Sequence, residues 1–331
     1  MKVFVYAISK DEETFAKRWY ESMKEADDIF VLDTGSKDKT VDILRDLGVN
    51  VKQVIIDSWR FDTARNMSLE MVPYEECICV CTDLDEVFEI GWRKKLESII
   101  KDCDRVKYNY IWSFDKYGNP EVNFYQEKII TTDEITLKHY PDDKKSRSSY
   151  LPLLELAVKE EPDNDRNMHY LGREYMYYGR YEEAINTLKK HLNMESATWK
   201  AERCASLRFI SRCYRYLKDY DNAIKYCLLS IAEFPYSREP YYELASSYYI
   251  LNDYERCKHY LELSLLYKEN AKVYINEPNC YNGTIEDILS ICYFYTNDLV
   301  NALKYIEKSL KVDPNNERKL KNKELILDKL N

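Results

Sequence analysis

The second half of the chain repeats itself. "MHYLGREYMYYGRYEEAINTLKKHL" at 168–192 is echoed by "LRFISRCYRYLKDYDNAIKYCLLSIAEFP" at 207–235, "YYELASSYYILNDYERCKHYLELSLLY" at 241–267 and "IEDILSICYFYTNDLVNALKYIEKSLKVDP" at 285–314. Each phrase reads as two amphipathic helices, and aligning the small residue of each second helix gives Ala184, Ala223, Cys257 and Ala302, spaced 39, 34 and 45 residues apart. A unit this short cannot bury its apolar face alone, so successive units must stack on one another. Nearly every contact in such a stack is close in sequence.

These phrases resemble the tetratricopeptide repeat, whose period is about 34 residues. Leu171-Gly172, Tyr175 and Ala184 fall on the pattern in the first unit, and Pro235 and Pro314 close the second and fourth. The longer spacings predict helix extensions or loops at "NMESATWKAER" and "KENAKVYINEPNCYNG". "YLPLLELAVKEEP" and "NERKLKNKELILDKL" are expected to cap the two ends. The resemblance implies a solenoid with a concave binding surface. Twenty-two of the 31 tyrosines lie after residue 150, where residues such as Tyr181, Tyr220 and Tyr254 read first as packing groups of the repeat.

The first 150 residues differ in kind. Apolar, β-branched runs alternate with amphipathic stretches: "KVFVYAI", "TFAKRWYESMKEA", "DIFVLD", "DKTVDILRDLG", "VKQVII", "NMSLEMV" and "CICVCTD". This βαβαβαβ order predicts a doubly wound, mostly parallel sheet with ligands at the carboxyl ends of its strands. A length of 331 residues suits two domains, placed at 1–147 and 148–331. No apolar run approaches the roughly 18 residues that a membrane span needs, and "MKVFVYAISKDEE" reads as a strand and not as a signal peptide. A cytoplasmic location follows as the expectation.

Ten cysteines without a CxxC pair read as reduced, buried thiols, even where Cys77, Cys79 and Cys81 alternate along one strand. The net charge of −9 lies mostly in the first 150 residues, which carry 23 basic against 30 acidic side chains. That balance argues against nucleic acid as a partner and suits a chain that holds a cation.

"CTDLDEVFEI" at 81–90 sets Asp83, Asp85 and Glu86 directly after a buried strand. Alone, such a pair is most often a helix cap or a solvated turn. With "VLDTGSKDKT" at 31–40 and "SWRFDTARN" at 58–66, and on through "YIWSFDKYGNPEVNFYQEKI", it resembles the family 2 glycosyltransferases of GT-A fold, in a subgroup joined to tetratricopeptide repeats. The resemblance implies an α/β GT-A-like (Rossmann-like, mostly parallel) N-terminal domain followed by an all-α repeat solenoid. The activity it implies is metal-dependent, inverting transfer of a sugar from a nucleotide donor, UDP-linked, to a peptide or protein acceptor presented by the repeats.

The same resemblance assigns roles. Asp85 would coordinate Mn²⁺ or Mg²⁺, which neutralises the leaving diphosphate, and Asp83 would contact the ribose or a metal-bound water. Ala7, Ser9 and Asp33 would border base and ribose, Arg65 would reach the base or diphosphate, and Asn66 would brace a helix start. A structural role for Asp33 coexists with this, with Ser36 or Asp38 as N-cap and Gly35 supplying a special φ. His139 would complete the metal shell, with Lys144, Lys145 and Arg147 closing over the diphosphate. As a lone histidine it reads equally as a satisfied structural residue. His169, His191 and His259, on repeat helices, read as structural.

One departure stands out. Between "YQEKI" and "LKHYPD" this chain has only "ITTDEIT", where the subgroup carries a longer segment ending in His-Glu on the acceptor side. Residues 87–139 must build the whole acceptor half, leaving Glu127 as the candidate general base by position, Asp115 behind it, and Glu86 available to support the metal. The alternative is a catalytically degenerate relative that works as a protein-binding repeat scaffold.

Overall fold

A computed structural model of the chain describes residues 1–57, 59–73, 76–100, 106–126, 130–141, 150–267 and 273–330. The chain divides into two compact units, residues 1–145 with 272–274, and residues 146–271 with 275–331.

The first unit opens with four parallel strands, β1 (Lys2–Ser9), β2 (Asp28–Asp33), β3 (Asn50–Gln53) and β4 (Cys77–Asp83), in the order β3-β2-β1-β4. Three helices link them: α1 (Glu13–Met23), α2 (Thr40–Asp46) and α3 (Phe61–Leu69). β1 and β2 are buried along nearly their whole length, which is why they read as unbroken apolar runs and not as alternating ones. Trp19 and Met23 of α1 and Leu44 of α2 are fully buried beside them, each contributing about 1.5–3 kcal/mol. The Trp19 indole also donates to Thr82 Oγ1 at 3.0 Å, which ties α1 to β4.

Residues 86–139 build a second sheet, which the sequence pattern left undrawn. It comprises β5 (Glu86–Phe88), β6 (Val106–Phe114), β7 (Pro120–Gln126) and β8 (Ile130–His139), ordered β5-β8-β6-β7, with α4 (Trp92–Ile99) between β5 and β6. Pairing is antiparallel for β5–β8 and β6–β7 and parallel for β6–β8. Val106, Tyr110, Ile135 and Leu137 join Val3, Val5 and Trp19 in one core, so both sheets fold around the same apolar mass. Two registers place the candidate site residues. Ser9 stands opposite Asp33 and Ile8 opposite Asp83 at one end of the parallel sheet, and Glu86 stands opposite His139 in the second.

The described residues of the second unit are built into helices and their connections. α5 (Tyr150–Glu160) precedes four pairs, α6 (Asp165–Tyr177) with α7 (Tyr181–Leu192), α8 (Lys200–Tyr216) with α9 (Tyr220–Glu233), α10 (Glu239–Ile250) with α11 (Tyr254–Ser264), and α12 (Thr284–Tyr295) with α13 (Leu299–Val312). α14 (Glu317–Leu330) ends it. The aligned residues Ala184, Ala223, Cys257 and Ala302 are all fully buried, so a small side chain sits where helices approach most closely. Gly172 goes further: a Cβ there would lie 2.6 Å from Leu188 Cγ, so α6 and α7 meet only because that carbon is absent. The spacing of 39 residues before the second unit is absorbed largely by a longer α8, of 17 residues.

Within each pair the turn is the same device. A residue with positive φ (Gly179, Lys218, Asn252, Asn297) is followed, in three of the four, by an aspartate that caps the next helix. Asp219, Asp253 and Asp298 accept from the N–H three residues on, at 3.1, 3.0 and 3.1 Å.

Candidate functional site

The carboxyl end of the parallel sheet gathers charge, as expected of this topology. Arg65, from α3, reaches over the end of β4 and donates to Cys81 Sγ at 3.2 Å, to the Thr82 carbonyl at 3.0 Å and to Asp83 Oδ1 in an ion pair. Both members of that pair are part-exposed, so it positions Asp83 more than it stabilises the fold.

Two residues on, Asp85 meets His139. The Tyr140 N–H donates to the Asp85 carbonyl at 2.8 Å, which extends the β5–β8 pairing and holds His139 Nε2 3.3 Å from Asp85 Oδ2. His139 Nδ1 lies 3.0 Å from the Trp112 carbonyl oxygen, an atom that can only accept, so Nδ1 carries a proton and Nε2 is the nitrogen turned toward the carboxylate. The Trp112 ring stacks on the imidazole, centroids 4.3 Å apart. Burial opposes protonation of His139, but the Asp85 carboxylate and the Trp112 carbonyl outweigh it and raise the pKa above the ordinary imidazole value. Asp85 Oδ1 is buried with no hydrogen-bond partner. An orphaned carboxylate oxygen beside an oriented imidazole fits a divalent cation in its donor chemistry.

Glu86 lies behind this pair. Its carboxylate accepts from Tyr110 Oη at 2.6 Å and from the Asp83 N–H at 2.9 Å, and only 5% of the residue is exposed. Burial, reinforced by the charge of Asp83, lifts its pKa from 4.5 to about 7. Burial beside like charge is one way in which proteins tune a carboxyl group toward neutrality. Sequence reading assigned Glu86 only a supporting part and missed Tyr110 and Trp112. No local signal marks either aromatic residue; the only clue was an apolar run long enough to be a central strand.

Several sequence assignments take other places. Ala7 lies inside β1, fully buried in the core, and has no surface to offer a ligand. The Asp33 carboxylate is turned inward, accepting from Ser9 Oγ, Ser36 Oγ and the N–H groups of Gly35 and Ser36. It closes the turn that Gly35, at φ +103°, makes possible. Ser9 is spent on the same contact. Asn66 is exposed and sits mid-helix, because α3 begins five residues earlier at Phe61. Asp115 closes the β6–β7 hairpin, accepting from the N–H groups of Tyr117 and Asn119 at 2.8 and 2.9 Å, and those bonds hold its carboxyl below the usual range, unlike a general base. Glu127, Lys144, Lys145 and Arg147 lie outside the described residues.

A cavity of about 610 Å³ opens beside β4, lined by Cys77, Cys79, Val80, Trp92, Leu96 and Tyr108 among others. Its described lining excludes Asp83, Asp85 and His139. Cys79 is exposed there and Cys77 and Cys81 are half-buried, so the expectation of buried thiols holds for Cys204, Cys213, Cys227, Cys257, Cys280 and Cys292 of the helical unit and not for this strand. An edge strand, paired on one side among the described residues, leaves its side chains open.

The helical unit holds a charged row of its own, largely buried. Arg208, Arg212 and Arg215 follow one face of α8 and meet Glu243 of α10 and Glu277 of the segment before α12. Arg208 also donates to the Ile275 carbonyl at 2.9 Å, so that segment lies against the start of the row.

Paired helices of this length, with small residues at each crossing, define a helical repeat solenoid. The sequence pattern of the tetratricopeptide repeat matches residues 209–235 and 239–274, and the C-terminal half carries repeats of that class. Solved structures similar to the chain include MamA, at 19% identity over 53% of this chain and 96% of that one with a TM-score of 0.41. Others are a thermophilic repeat protein of Thermus thermophilus (17%, 54% and 90%, 0.40) and YrrB, described as having an unusual peptide-binding site (14%, 52% and 81%, 0.41). No curated protein matches the chain. Among the described residues no helix is long and apolar enough to cross a membrane.

Proposed function

We propose that this chain is a repeat scaffold that binds a polypeptide partner through its helical unit. The observation that carries the reading is the run of four stacked helix pairs, part of which matches the tetratricopeptide repeat. Stacks of this kind present extended surfaces suited to polypeptide. The test is fluorescence anisotropy of a labelled peptide library against the chain. Saturable binding of particular sequences that unlabelled peptide of the same sequence competes away supports the reading. Equal binding of all sequences, or none, sinks it.

A second reading is favoured by Asp85 Oδ1, buried without a partner beside His139 Nε2. Here the α/β unit is a metal-dependent glycosyltransferase whose strand-end site takes a nucleotide sugar, UDP-linked in the first instance. Asp85 and His139 would hold Mn²⁺ or Mg²⁺, which would supply charge neutralisation at a diphosphate. Arg65 keeps Asp83 in place, and Glu86, near neutrality, is placed to hold or release a proton. Calorimetric titration with UDP, with and without Mn²⁺, on the chain and on Asp85→Ala tests this. Metal-dependent micromolar binding lost in the variant supports a donor site; no response to UDP, GDP or other nucleotides leaves the scaffold reading alone.

A further inference from the structure

Three helix ends meet inside the repeat unit. Asp165 opens α6, His191 lies in the last turn of α7 and Glu202 in the first turn of α8. One donor atom from each falls within 4.8 Å of the other two. His191 is fully buried and Glu202 nearly so, at 2% exposure. The His191 Nε2 atom has no hydrogen-bond partner and stands 3.5 Å from Glu202 Oε1.

The second imidazole nitrogen explains why this matters. Ser206 Oγ is 2.9 Å from His191 Nδ1 and 2.8 Å from His169 Nδ1. A hydroxyl has one hydrogen, so it can donate to at most one ring and must accept from the other. When the hydroxyl donates to His169, His191 must donate through Nδ1, and its Nε2 lone pair then faces a carboxylate oxygen. Two lone pairs at that distance repel unless a cation lies between them. Donors around a tetrahedral ion with bonds of about 2.1 Å stand about 3.4 Å apart, close to the 3.5 Å observed.

We infer that Asp165, His191 and Glu202 form a binding site for a divalent first-row transition-metal ion, for which Zn²⁺ is the probe. One imidazole with two carboxylates suits zinc, cobalt or manganese. Asp165 and Glu202 each lie in the first turn of a helix, whose N-terminal end attracts negative charge. Arg166 Nε approaches the other oxygen of Glu202, Oε2, at 3.9 Å, while Oε1 faces His191. Ser206 orients the imidazole through its far nitrogen, as metal-bound histidines usually require. The ion would staple the first helix pair to the second.

The site is independent of the strand-end pair, and the test keeps the two apart. The untagged full chain carrying Asp85→Ala, stripped with EDTA and free of nucleotide, is titrated with Zn²⁺ by calorimetry. The melting temperature is followed by circular dichroism. One equivalent bound, with a rise in melting temperature that EDTA reverses, is the expected result. The near-isosteric Asp165→Asn and Glu202→Gln are each expected to weaken binding by at least about a hundredfold, and Ser206→Ala by about 10–100-fold. Circular dichroism of the metal-free variants separates loss of binding from loss of fold. Nitrogen chemical shifts in the unsubstituted repeat unit's imidazoles give a readout that needs no variant there: Zn²⁺ should move His191 Nε2. No uptake of Zn²⁺, uptake indifferent to both carboxylate variants, or a shift at another histidine overturns the assignment and leaves His191 and Glu202 as a buried ion pair.

Discussion

The two units hold their charges in opposite ways. In the helical unit, Glu243 is 1% exposed and is met by two guanidinium groups, Arg212 and Arg215, at 2.6 and 2.5 Å. In the α/β unit, Glu86 is almost as buried but has only neutral donors, Tyr110 and a backbone N–H, with the like charges of Asp83 and Asp85 nearby. Burial works against the charge of both. At Glu243 the arginines outweigh it and bring the pKa from 4.5 down to about 2; at Glu86 nothing does. A paired buried carboxylate is architecture, and an unpaired one is a group held ready to change its protonation.

The sharpest break of that contrast is Glu243→Gln. It would leave Arg212 and Arg215 buried without their shared counter-charge, at a cost of about 3–5 kcal/mol. Urea unfolding followed by the helical circular dichroism signal should show the loss. An unchanged midpoint would mean that the arginines find other acceptors.

Next in size is the pH response, which should have opposite signs in the two units. Folded Glu243 stays ionised down to about 2, so its contribution is complete above pH 4.5 and fades as acid protonates it, a total of roughly 3 kcal/mol. Folded Glu86 binds a proton that the unfolded chain has already released between pH 4.5 and about 7, so its contribution is present at the acid end of that window and lost as pH rises, again by roughly 3 kcal/mol. Tryptophan fluorescence suits the α/β unit, which holds Trp19, Trp59, Trp92 and Trp112, and Glu86→Gln should flatten its slope in that window. A slope that survives the substitution would assign it elsewhere.

Smaller effects test the packing of the repeats. Gly172→Ala should cost about 1–3 kcal/mol through the clash with Leu188, and adding Leu188→Ala should recover less than the sum of the two losses predicts. Asp253→Ala should remove the α11 cap for about 1 kcal/mol, read as a small fall in the thermal midpoint.

Legibility follows the same division. Repeat positions such as Ala184, Ala223, Cys257 and Ala302 were readable because each answers to neighbours a few turns away. β1 and β2 were readable because a buried parallel strand is a continuous apolar run. The second sheet was not, since its order β5-β8-β6-β7 is decided by pairings between distant segments that share no local signature. The site was half legible for the same reason. Asp85 and His139 were individually visible, and β5–β8 pairing brings them together. Ala7 and Asp33 were assigned to a ligand by resemblance, which carries a residue's place in a motif and not which way its side chain turns.

The turns inside the helix pairs carry a last consequence. Because Lys218, Asn252 and Asn297 each reverse the backbone and hand over at once to a capping aspartate, the second helix of each of those three pairs begins from a fixed mark, whatever the length of the helix before it. α8 runs to 17 residues and α10 to 12, yet α9 and α11 each start one residue after their cap. The chain is punctuated, not metered, so insertions upstream of a mark are absorbed locally and never reach the next repeat as an error of phase.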